Sequence, residues 1–319
     1  MLIDPTVLFG HAAFQLGAEY ESRGIGRNFI EVRTPEDTEA QLPNADVLVV
    51  SKLWRNEWID RAPRLKFIQS VSAGTEQYDR KRLAAKGIRL ASAQGVNTEP
   101  VAEHAIGLML SLTRQLHLAR DRQHKHQWRT NVADVARREQ ELQMQTIAIV
   151  GLGPIGKRIA DLAKAFGMRV LGVNRSGQSS HPSLDTTVSI SMMSEVLPYA
   201  DFVILACPLT PETQGLINAV QLKAMKKSAS LINVARGRVV DQSALIEALQ
   251  DGTISSAGLD CFHDEPLPAD SPLWDFDNVI ITPHSAGETR SYEVRVIDIL
   301  LDNLGRLAQG DTELRNQVI

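Results

Sequence analysis

Residues 146–167 join an apolar strand, a glycine-rich turn and an amphipathic helix without a break, in the order TIAIVGLGPIGKRIADLAKAFG. The β-branched run at 146–150 predicts a buried strand. Apolar residues then recur at helical spacing until Gly167, which ends the helix. A strand that passes through glycines directly into a helix is the beginning of a βαβ unit, so this segment constrains the fold of the whole chain.

The three glycines of the turn each have a physical role in such a unit. Gly151 permits the tight turn, Gly153 lets the backbone come close to a pyrophosphate, and Gly156 lets the helix and strand pack closely. The helix begins at Pro154, which has no N–H, and the N–H groups that follow, from Ile155 onward, have no intrahelical partners and face an anion. The turn therefore predicts a dinucleotide-binding site.

Short apolar runs alternate with helical patterns through most of the chain, which predicts βαβ units and parallel sheets. At 319 residues the chain suits two domains. We predict an α/β fold of two doubly wound, parallel-sheet (Rossmann-like) domains with a cleft between them. The strands read from the sequence are 46–50, 67–71, 146–150, 169–173, 202–206, 230–234 and 278–281.

Two long helices organise the predicted domains. One runs from Glu99 to about Ala119, and the other from Glu288 to Ala308, where Gly310 ends it. If the last helix returns to the first sheet, the first domain is discontinuous. The predicted division is a substrate domain of residues 1–97 with 288–319, and a cofactor domain of residues 98–287.

Composition excludes several classes of function. Hydrophobic residues make up 43% of the chain and charged residues 23%, and the net charge is −4, which offers no general attraction to nucleic acid or to a membrane surface. No apolar run approaches the roughly 20 residues that span a bilayer. Two cysteines give no disulfide framework, and the N-terminus lacks a signal-peptide pattern. We expect a cytoplasmic protein.

The tip of the strand at 169–173 indicates which nicotinamide cofactor binds. An NAD site usually carries an acid about 20 residues beyond the glycines, to bind the ribose hydroxyls. This chain has Asn174, Arg175 and Ser176 there. Arg175 can pair with a 2′-phosphate and Ser176 can donate a hydrogen bond to it, so we predict NADPH as the preferred cofactor, with NAD possible. The alternative is that Arg175 is a solvated loop residue.

Three ionisable residues each follow a predicted strand. They are Arg236 in NVARGRVVD, Glu265 in GLDCFHDEPL and His284 in TPHSAG. Ligands bind at the carboxyl ends of the strands in doubly wound sheets. Each residue alone is weak evidence, since loop charges are more often solvated.

Seven segments together resemble the D-isomer-specific 2-hydroxyacid dehydrogenases, which include glyoxylate and hydroxypyruvate reductases. They occur in the family's order and cover most of the chain. The matching residues are 71–79 (VSAGTEQYD), 97–110 (NTEPVAEHAIGLML), 151–156, 207–217 (CPLTPETQGLI), 231–249, 258–274 and 278–287.

The resemblance implies the reduction of a small 2-keto acid, with roles for five residues. His284 corresponds to the general acid that delivers the proton. Glu265 corresponds to its partner, a carboxylate that orients the ring and favours its protonated form. Arg236 corresponds to the residue that binds the substrate carboxylate and polarises its carbonyl. Ala73 and Gly74 correspond to a turn whose N–H groups bind the same carboxylate.

The resemblance also implies a lining for the nicotinamide half of the cofactor, by Cys207, Pro208, Thr213, Ala235, Asp260 and Ala286. Asp260 fits equally well as a strand-end acid with protein partners. Glu103 and His104 are expected to be structural, at the start of the long helix. Trp54 is a candidate wall of the substrate pocket, or else a packing residue. The long helix resembles the family's dimerisation element, so a homodimer is expected.

Some alternatives remain open and some are set aside. A D-3-phosphoglycerate-type dehydrogenase is a rival within the enzyme class. A corepressor-like relative that binds the cofactor with little turnover shares the catalytic residues, and only turnover separates it from an enzyme. Formate dehydrogenases pair the histidine with glutamine, whereas this chain has Glu265. His124 and His126 are too few ligands for a metal, and the basic cluster at 114–138 lacks the aromatic residues of a nucleic-acid site. Residues 137–146 depart from the family's glycine-leucine turn.

Overall fold

The computed structural model describes residues 4–24 and 28–319. Residues 1–3 and 25–27 of the predicted first domain lie outside the described residues. The chain divides into two compact units, the first made of residues 1–97 and 289–319 and the second of residues 98–288. Among the described residues, no helix has the length and apolar character needed to cross a bilayer.

Twelve strands and nine α-helices are found within the described residues. The strands are β1 (Val7–Gly10), β2 (Phe29–Val32), β3 (Val47–Val50), β4 (Phe67–Ser70), β5 (Arg89–Ala91), β6 (Thr146–Val150), β7 (Arg169–Asn174), β8 (Thr186–Ser189), β9 (Phe202–Leu205), β10 (Ser230–Asn233), β11 (Ser256–Leu259) and β12 (Val279–Ile281). The helices are α1 (Leu16–Ser22), α2 (Pro35–Gln41), α3 (Arg80–Ala85), α4 (Thr98–Thr113), α5 (Leu116–His124), α6 (Pro154–Ala165), α7 (Ala219–Ala224), α8 (Gln242–Gln250) and α9 (Tyr292–Gln309).

The sheet of the second unit has seven parallel strands in the order β12-β11-β10-β9-β6-β7-β8. The chain builds outward from β6 through β7 to β8, and then restarts at β9 on the other side of β6. This reversal between β6 and β9 is the point at which doubly wound sheets bind ligands. The glycine turn follows β6, so the order of the strands places it at that point.

Alternate side chains of β6 explain why this strand is buried on both faces. Ile147 and Ile149 pack with α4 and α6 residues, whereas Ala148 and Val150 belong to the core on the opposite face, which includes residues of α7 and α8. All four are at most 1% exposed. A strand that is apolar on both faces belongs to the centre of a parallel sheet covered by helices.

The first unit has a five-stranded parallel sheet in the order β2-β1-β3-β4-β5, which also reverses, between β1 and β3. The C-terminal helix α9 packs on this sheet, because Val296, Ile297 and Leu300 share a core with Val7 and Phe9. Two doubly wound parallel sheets therefore make up the fold, as the alternating pattern predicts.

Three expectations from the sequence are wrong in detail. The helix predicted over 99–119 ends at Thr113, and Gln115 is left-handed (φ 52°) before α5 begins at Leu116, which is 54% exposed. The apolar stripe that supports a buried helix therefore stops at Leu112. Helix α9 begins at Tyr292, because hydrogen-bonded turns occupy the four residues before it. The strand predictions omit β1, β2, β5, β8 and β11, each of three or four residues.

Candidate active site

The glycine turn after β6 has the geometry that its sequence implies. Gly151 has φ +101°, and a Cβ there would lie 2.6 Å from the backbone nitrogen of Cys207. A Cβ on Gly156 would lie 1.9 Å from the carbonyl oxygen of Gly151. A side chain at either position would collide with backbone, so neither glycine can be replaced without moving the chain.

Gly153 differs from these two glycines, because a Cβ there meets nothing within 4 Å among the described residues. Gly153 caps α6 without a side-chain hydrogen bond, so the first N–H groups of the helix have no side-chain acceptor. An open approach to an uncapped helix N-terminus fits the pyrophosphate of a dinucleotide. The residues present therefore fit a nicotinamide dinucleotide, which Gly153, Pro154, Ile155 and Gly156 would bind.

The tip of β7 carries no acid, and its polar side chains shape a turn. Asn174 Oδ1 accepts hydrogen bonds from the Gly177 N–H (2.7 Å) and from Ser176 Oγ (3.2 Å). The Asn174 amide also donates to the Gln178 carbonyl oxygen at 2.8 Å. Arg175 is exposed beside this turn. Asn174 thus fixes a turn that leaves Arg175 exposed and engages the Ser176 hydroxyl in its own hydrogen bonds.

The loop after β9 is closed by its own side chains. Thr213 Oγ1 donates to the Pro208 carbonyl oxygen and accepts the Thr210 N–H, both at 2.7 Å. Cys207 is 7% exposed, and burial raises the pKa of its thiol to about 11. The described contacts of Thr213 therefore keep this loop rigid next to the glycine turn.

Arg236 follows β10 in a turn that buried Asn233 shapes. The Asn233 side chain accepts the Ala235 N–H and donates to the Arg236 carbonyl oxygen, both at 3.0 Å. The guanidinium of Arg236 donates to the Ala235 carbonyl oxygen at 2.7 Å, which leaves its other N–H donors for a ligand. A Cβ on Gly237 would lie 1.9 Å from the Phe262 carbonyl carbon, so this turn lies directly against the loop after β11.

Glu265 and His284 form the one pair of predicted catalytic residues in direct contact among the described hydrogen bonds. His284 Nδ1 lies 2.8 Å from Glu265 Oε2. Glu265 Oε1 accepts the Phe262 N–H at 3.0 Å, which fixes the carboxylate. The side chains are 46% and 38% exposed, so a small molecule can reach both. Because Nδ1 faces Glu265, Nε2 is the ring nitrogen left for a ligand.

Buried Asp260 anchors the loop that carries His284. Asp260 Oδ1 accepts hydrogen bonds from Thr282 Oγ1 (2.6 Å) and the Ser285 N–H (3.0 Å), and Oδ2 accepts the Ala286 N–H (3.1 Å). Asp260 is 2% exposed. These contacts are those of a strand-end acid with protein partners, one of the two alternatives that the sequence left open.

Cys261 lies among the charges of these loops. It is 3% exposed, and its thiol is 3.7 Å from the Asn233 carbonyl oxygen. Burial raises the pKa of the thiol, the carboxylates of Asp260 and Glu265 raise it further, and Arg236 lowers it in part. The carboxyl ends of β10 and β11, which are neighbours in the sheet, therefore bring one cation and two carboxylates around a buried, neutral thiol.

The first unit holds the remaining candidates. Ala73 and Gly74 follow β4, and within the described residues their N–H groups have no protein acceptor. Trp54 is 7% exposed and contacts the rings of Trp58 and Tyr78 at centroid distances of 5.9 and 5.3 Å. Core packing accounts for Trp54, whereas Ala73 and Gly74 offer free donors at a strand end.

Comparison with known proteins decides the family. The model described as "D-isomer specific 2-hydroxyacid dehydrogenase, NAD binding domain" matches residues 106–286, more than half of the chain. The chain belongs to the D-isomer specific 2-hydroxyacid dehydrogenases. Members of this family are NAD(P)-dependent oxidoreductases, and the glycine turn, Arg236, Glu265 and His284 lie within the matched range.

Individual members of the family resemble this dehydrogenase over most of their length. The glyoxylate/hydroxypyruvate reductase B of Yersinia pestis is 37% identical over 78% of this chain and 76% of its own. The glycerate dehydrogenase of Methylorubrum extorquens is 34% identical over 87% of both chains. A crystal structure of an NADPH-dependent glyoxylate/hydroxypyruvate reductase from Sinorhizobium meliloti, in complex with NADP and malonate, has a TM-score of 0.81 and 28% identity, and covers 99% of this chain and 97% of that one.

Sequence reasoning missed the residues that support the site in this dehydrogenase. Asn233 shapes the Arg236 turn, and Thr282 joins Asp260 to the His284 loop. Both are polar residues at the carboxyl end of an apolar strand, and this position is a signal that the sequence contains. His104 contacts Thr282 Oγ1 at 3.0 Å, whereas the sequence predicts a structural role for it at the start of the long helix.

Proposed function

We propose that this dehydrogenase reduces a 2-keto acid of the glyoxylate or hydroxypyruvate type to the D-2-hydroxy acid. The observation that carries the proposal is the His284–Glu265 pair, with the ring nitrogen Nε2 left for the substrate oxygen. Reduction of a keto group adds a hydride to carbon and a proton to oxygen. The bound nicotinamide supplies the hydride, and His284 supplies the proton as general acid.

Arg236 and the turn at Ala73 and Gly74 complete the proposed recognition of the substrate. The free donors of Arg236 suit a carboxylate, and its charge polarises the adjacent keto group. The N–H groups of Ala73 and Gly74 are free to donate to an anion, and we assign the substrate carboxylate to them. The donors of Arg236 would then orient the keto carbon for hydride transfer.

The preferred cofactor in this proposal is NADPH. Support comes from the tip of β7, where Asn174 is engaged in its own turn and Arg175 is exposed. We expect kcat/KM to be higher with NADPH than with NADH. In Arg175→Ala, kcat/KM for NADPH divided by kcat/KM for NADH should fall by about tenfold or more, the effect of losing one charge-assisted hydrogen bond. A higher kcat/KM with NADH in the wild type would contradict the preference.

The experiment that tests the activity follows nicotinamide oxidation with glyoxylate, hydroxypyruvate, pyruvate and longer 2-keto acids. We expect turnover with glyoxylate, hydroxypyruvate or both, and a D-configured product from hydroxypyruvate. Tight cofactor binding with negligible turnover on every acid would favour a corepressor-like sensor and overturn the proposal.

We also propose that the protein forms a homodimer. Helix α5 has no buried residue within its own chain, and Leu116, Trp128 and Val135 are 54%, 94% and 73% exposed. Large apolar side chains that are exposed in one protomer can be covered at a subunit interface. Light scattering should give twice the chain mass of 35.1 kDa, and a single chain mass would contradict the dimer. The cytoplasmic location stays a prediction.

A further inference from the structure

A hydroxyl group at the end of β12 fixes the direction of two hydrogen bonds. Thr282 Oγ1 lies 2.6 Å from Asp260 Oδ1 and 3.0 Å from His104 Nε2. An ionised carboxylate only accepts hydrogen bonds, and a hydroxyl has one proton. The Thr282 proton is therefore donated to Asp260, and Thr282 accepts from His104. It follows that His104 carries a proton on Nε2.

The proton on His104 Nε2 also lies close to the buried carboxylate of Asp260. His104 Nε2 lies 3.6 Å from Asp260 Oδ1, and Asp260 is 2% exposed. A buried carboxylate is stable only when donors surround it. Within the described contacts these donors are Thr282 Oγ1 and the N–H groups of Ser285 and Ala286. His104 thus adds a donor to Thr282 and a favourable dipole to Asp260.

The two backbone donors of this cluster directly follow His284. His284 itself is left-handed, with φ +53°, a conformation that is uncommon for residues other than glycine. Its N–H donates to the Thr282 carbonyl oxygen at 3.0 Å. The conformation persists because hydrogen bonds hold the backbone before and after His284. After His284, the acceptor of these bonds is the Asp260 carboxylate, which Thr282 and His104 orient.

We propose that His104 is a positioning residue for the His284 loop. Its Nε2–H, through Thr282 and Asp260, holds the backbone that places the His284 ring. The inference rests on the proposed role of His284 as proton donor. His104 touches neither substrate nor cofactor in this proposal and acts only through the loop. This role differs from the structural role at the start of the long helix that the sequence predicts for His104, because His104 contacts Thr282 at the end of β12.

Substitutions at His104 test this role. His104→Ala removes the donor, and we expect kcat to fall by about a hundredfold, the effect of a small misplacement of a reacting group, while cofactor KM is unchanged. His104→Gln keeps an N–H donor at a similar distance from the backbone, and should restore most of kcat. Glu103→Ala, an exposed neighbour on α4, is the matched control and should behave as the wild type. Wild-type kcat in His104→Ala, or no recovery in His104→Gln, would overturn the inference.

A second pair of variants covers the case in which His104→Ala does not fold. Thr282→Val removes the hydroxyl with little change in shape, and Thr282→Ser keeps it. We expect kcat to fall in Thr282→Val and to remain close to the wild-type value in Thr282→Ser. Where both single variants fold, the double variant His104→Ala/Thr282→Val should lose little more than either alone, because both break one chain of contacts. Fully additive losses would show that His104 acts elsewhere.

Hydrogen–deuterium exchange separates this inference from the proposed activity. In the cofactor-free protein, His104→Ala should reduce the protection of the amides of Ser285 and Ala286, and His104→Gln should keep it. If His104→Ala reduces this protection but the wild type turns over no keto acid, the positioning role of His104 is supported and the proposed function is rejected. If His104→Ala leaves the protection unchanged while His284→Ala abolishes activity, the positioning role is rejected and the proposed function is retained.

Discussion

The Nδ1 atom of His284 lies 2.8 Å from Oε2 of Glu265, and the other oxygen of that carboxylate is held by the Phe262 N–H. A carboxylate fixed at both oxygens fixes the imidazole that it contacts. The orientation of the ring is therefore set by the protein before a substrate arrives. Such preorganisation supports the proposed role of His284, a side chain that is 46% exposed, as a general acid.

Replacing either member of this pair should reduce turnover more than binding. His284→Ala removes the proposed proton donor, and we expect kcat to fall by about a hundredfold or more. Glu265→Gln keeps the shape of the side chain and removes its charge, so its loss should be smaller. Cofactor Kd, measured by fluorescence titration, should match the wild type in both variants. An His284→Ala enzyme with most of its kcat would show that another group delivers the proton.

Arg236 should affect both substrate binding and turnover. Arg236→Ala removes the proposed carboxylate partner, so keto-acid KM should rise and kcat should fall, together by about a hundredfold in kcat/KM. Arg236→Lys keeps the charge without the planar fork and should recover only part of the activity. Exposed Arg238, two residues along, provides the matched control. If Arg238→Ala and Arg236→Ala had equal effects, Arg236 would have no specific role.

The glycines of the turn after β6 should separate folding from cofactor binding. Gly153→Ala meets open space, so we expect an unchanged Tm without cofactor and a Kd for NADPH that rises by about tenfold or more. Gly156→Ala meets the Gly151 carbonyl and should lower Tm as well. Exposed Gly107 in α4 is the control, since an alanine there has room and favours the helix. Unchanged NADPH affinity in Gly153→Ala would place the pyrophosphate elsewhere.

His11 should make the stability of the protein depend on pH. Its Nδ1 accepts the N–H groups of Ala13 (3.1 Å) and Phe14 (2.9 Å), and burial, with Lys52 and Arg33 nearby, lowers its pKa to about 4. Between pH 6.5 and 4 the unfolded chain binds a proton that the folded chain does not, so stability falls as pH falls through this window.

The variant His11→Asn isolates this effect, because Asn Oδ1 accepts the same N–H groups and does not titrate. After allowance for the partial exposure of the ring, we expect the fall in Tm between pH 7 and 4.5 to be smaller in the variant by about 2–4 °C, corresponding to about 1 kcal/mol. Parallel Tm curves for the variant and the wild type would show that His11 does not titrate in this range.

Much of the fold follows from the sequence because the dominant forces are local. The run at 147–150 is apolar at every position, and only the centre of a parallel sheet buries both of its faces. The need for glycine at position 156, where a Cβ would collide with the carbonyl oxygen of Gly151, likewise follows from the spacing of the glycines in the motif. The helix predicted over 99–119 fails because one left-handed residue, Gln115, breaks it, and helical periodicity carries no signal for such a break.

The site was less accessible to sequence reasoning than the fold. The order of Arg236, Glu265 and His284 after successive strands predicts that they share an edge, and the resemblance to a family supplies their roles. The partners of Asp260 come from residues distant in sequence, since Thr282 is 22 positions away and His104 is 178 positions from Thr282. Hydrogen bonds over such separations depend on tertiary packing, which no local pattern encodes.

The anchoring of His284 by Asp260 has a consequence for how such an enzyme can be altered. Every described hydrogen bond to His284, and to the two residues after it, comes from residues 98–288. The placement of the ring is thus encoded entirely within the unit that carries the glycine turn. Residues 1–97, with the turn at Ala73 and Gly74, can then vary, or be exchanged for those of a relative, without the loss of any described hydrogen bond that positions His284.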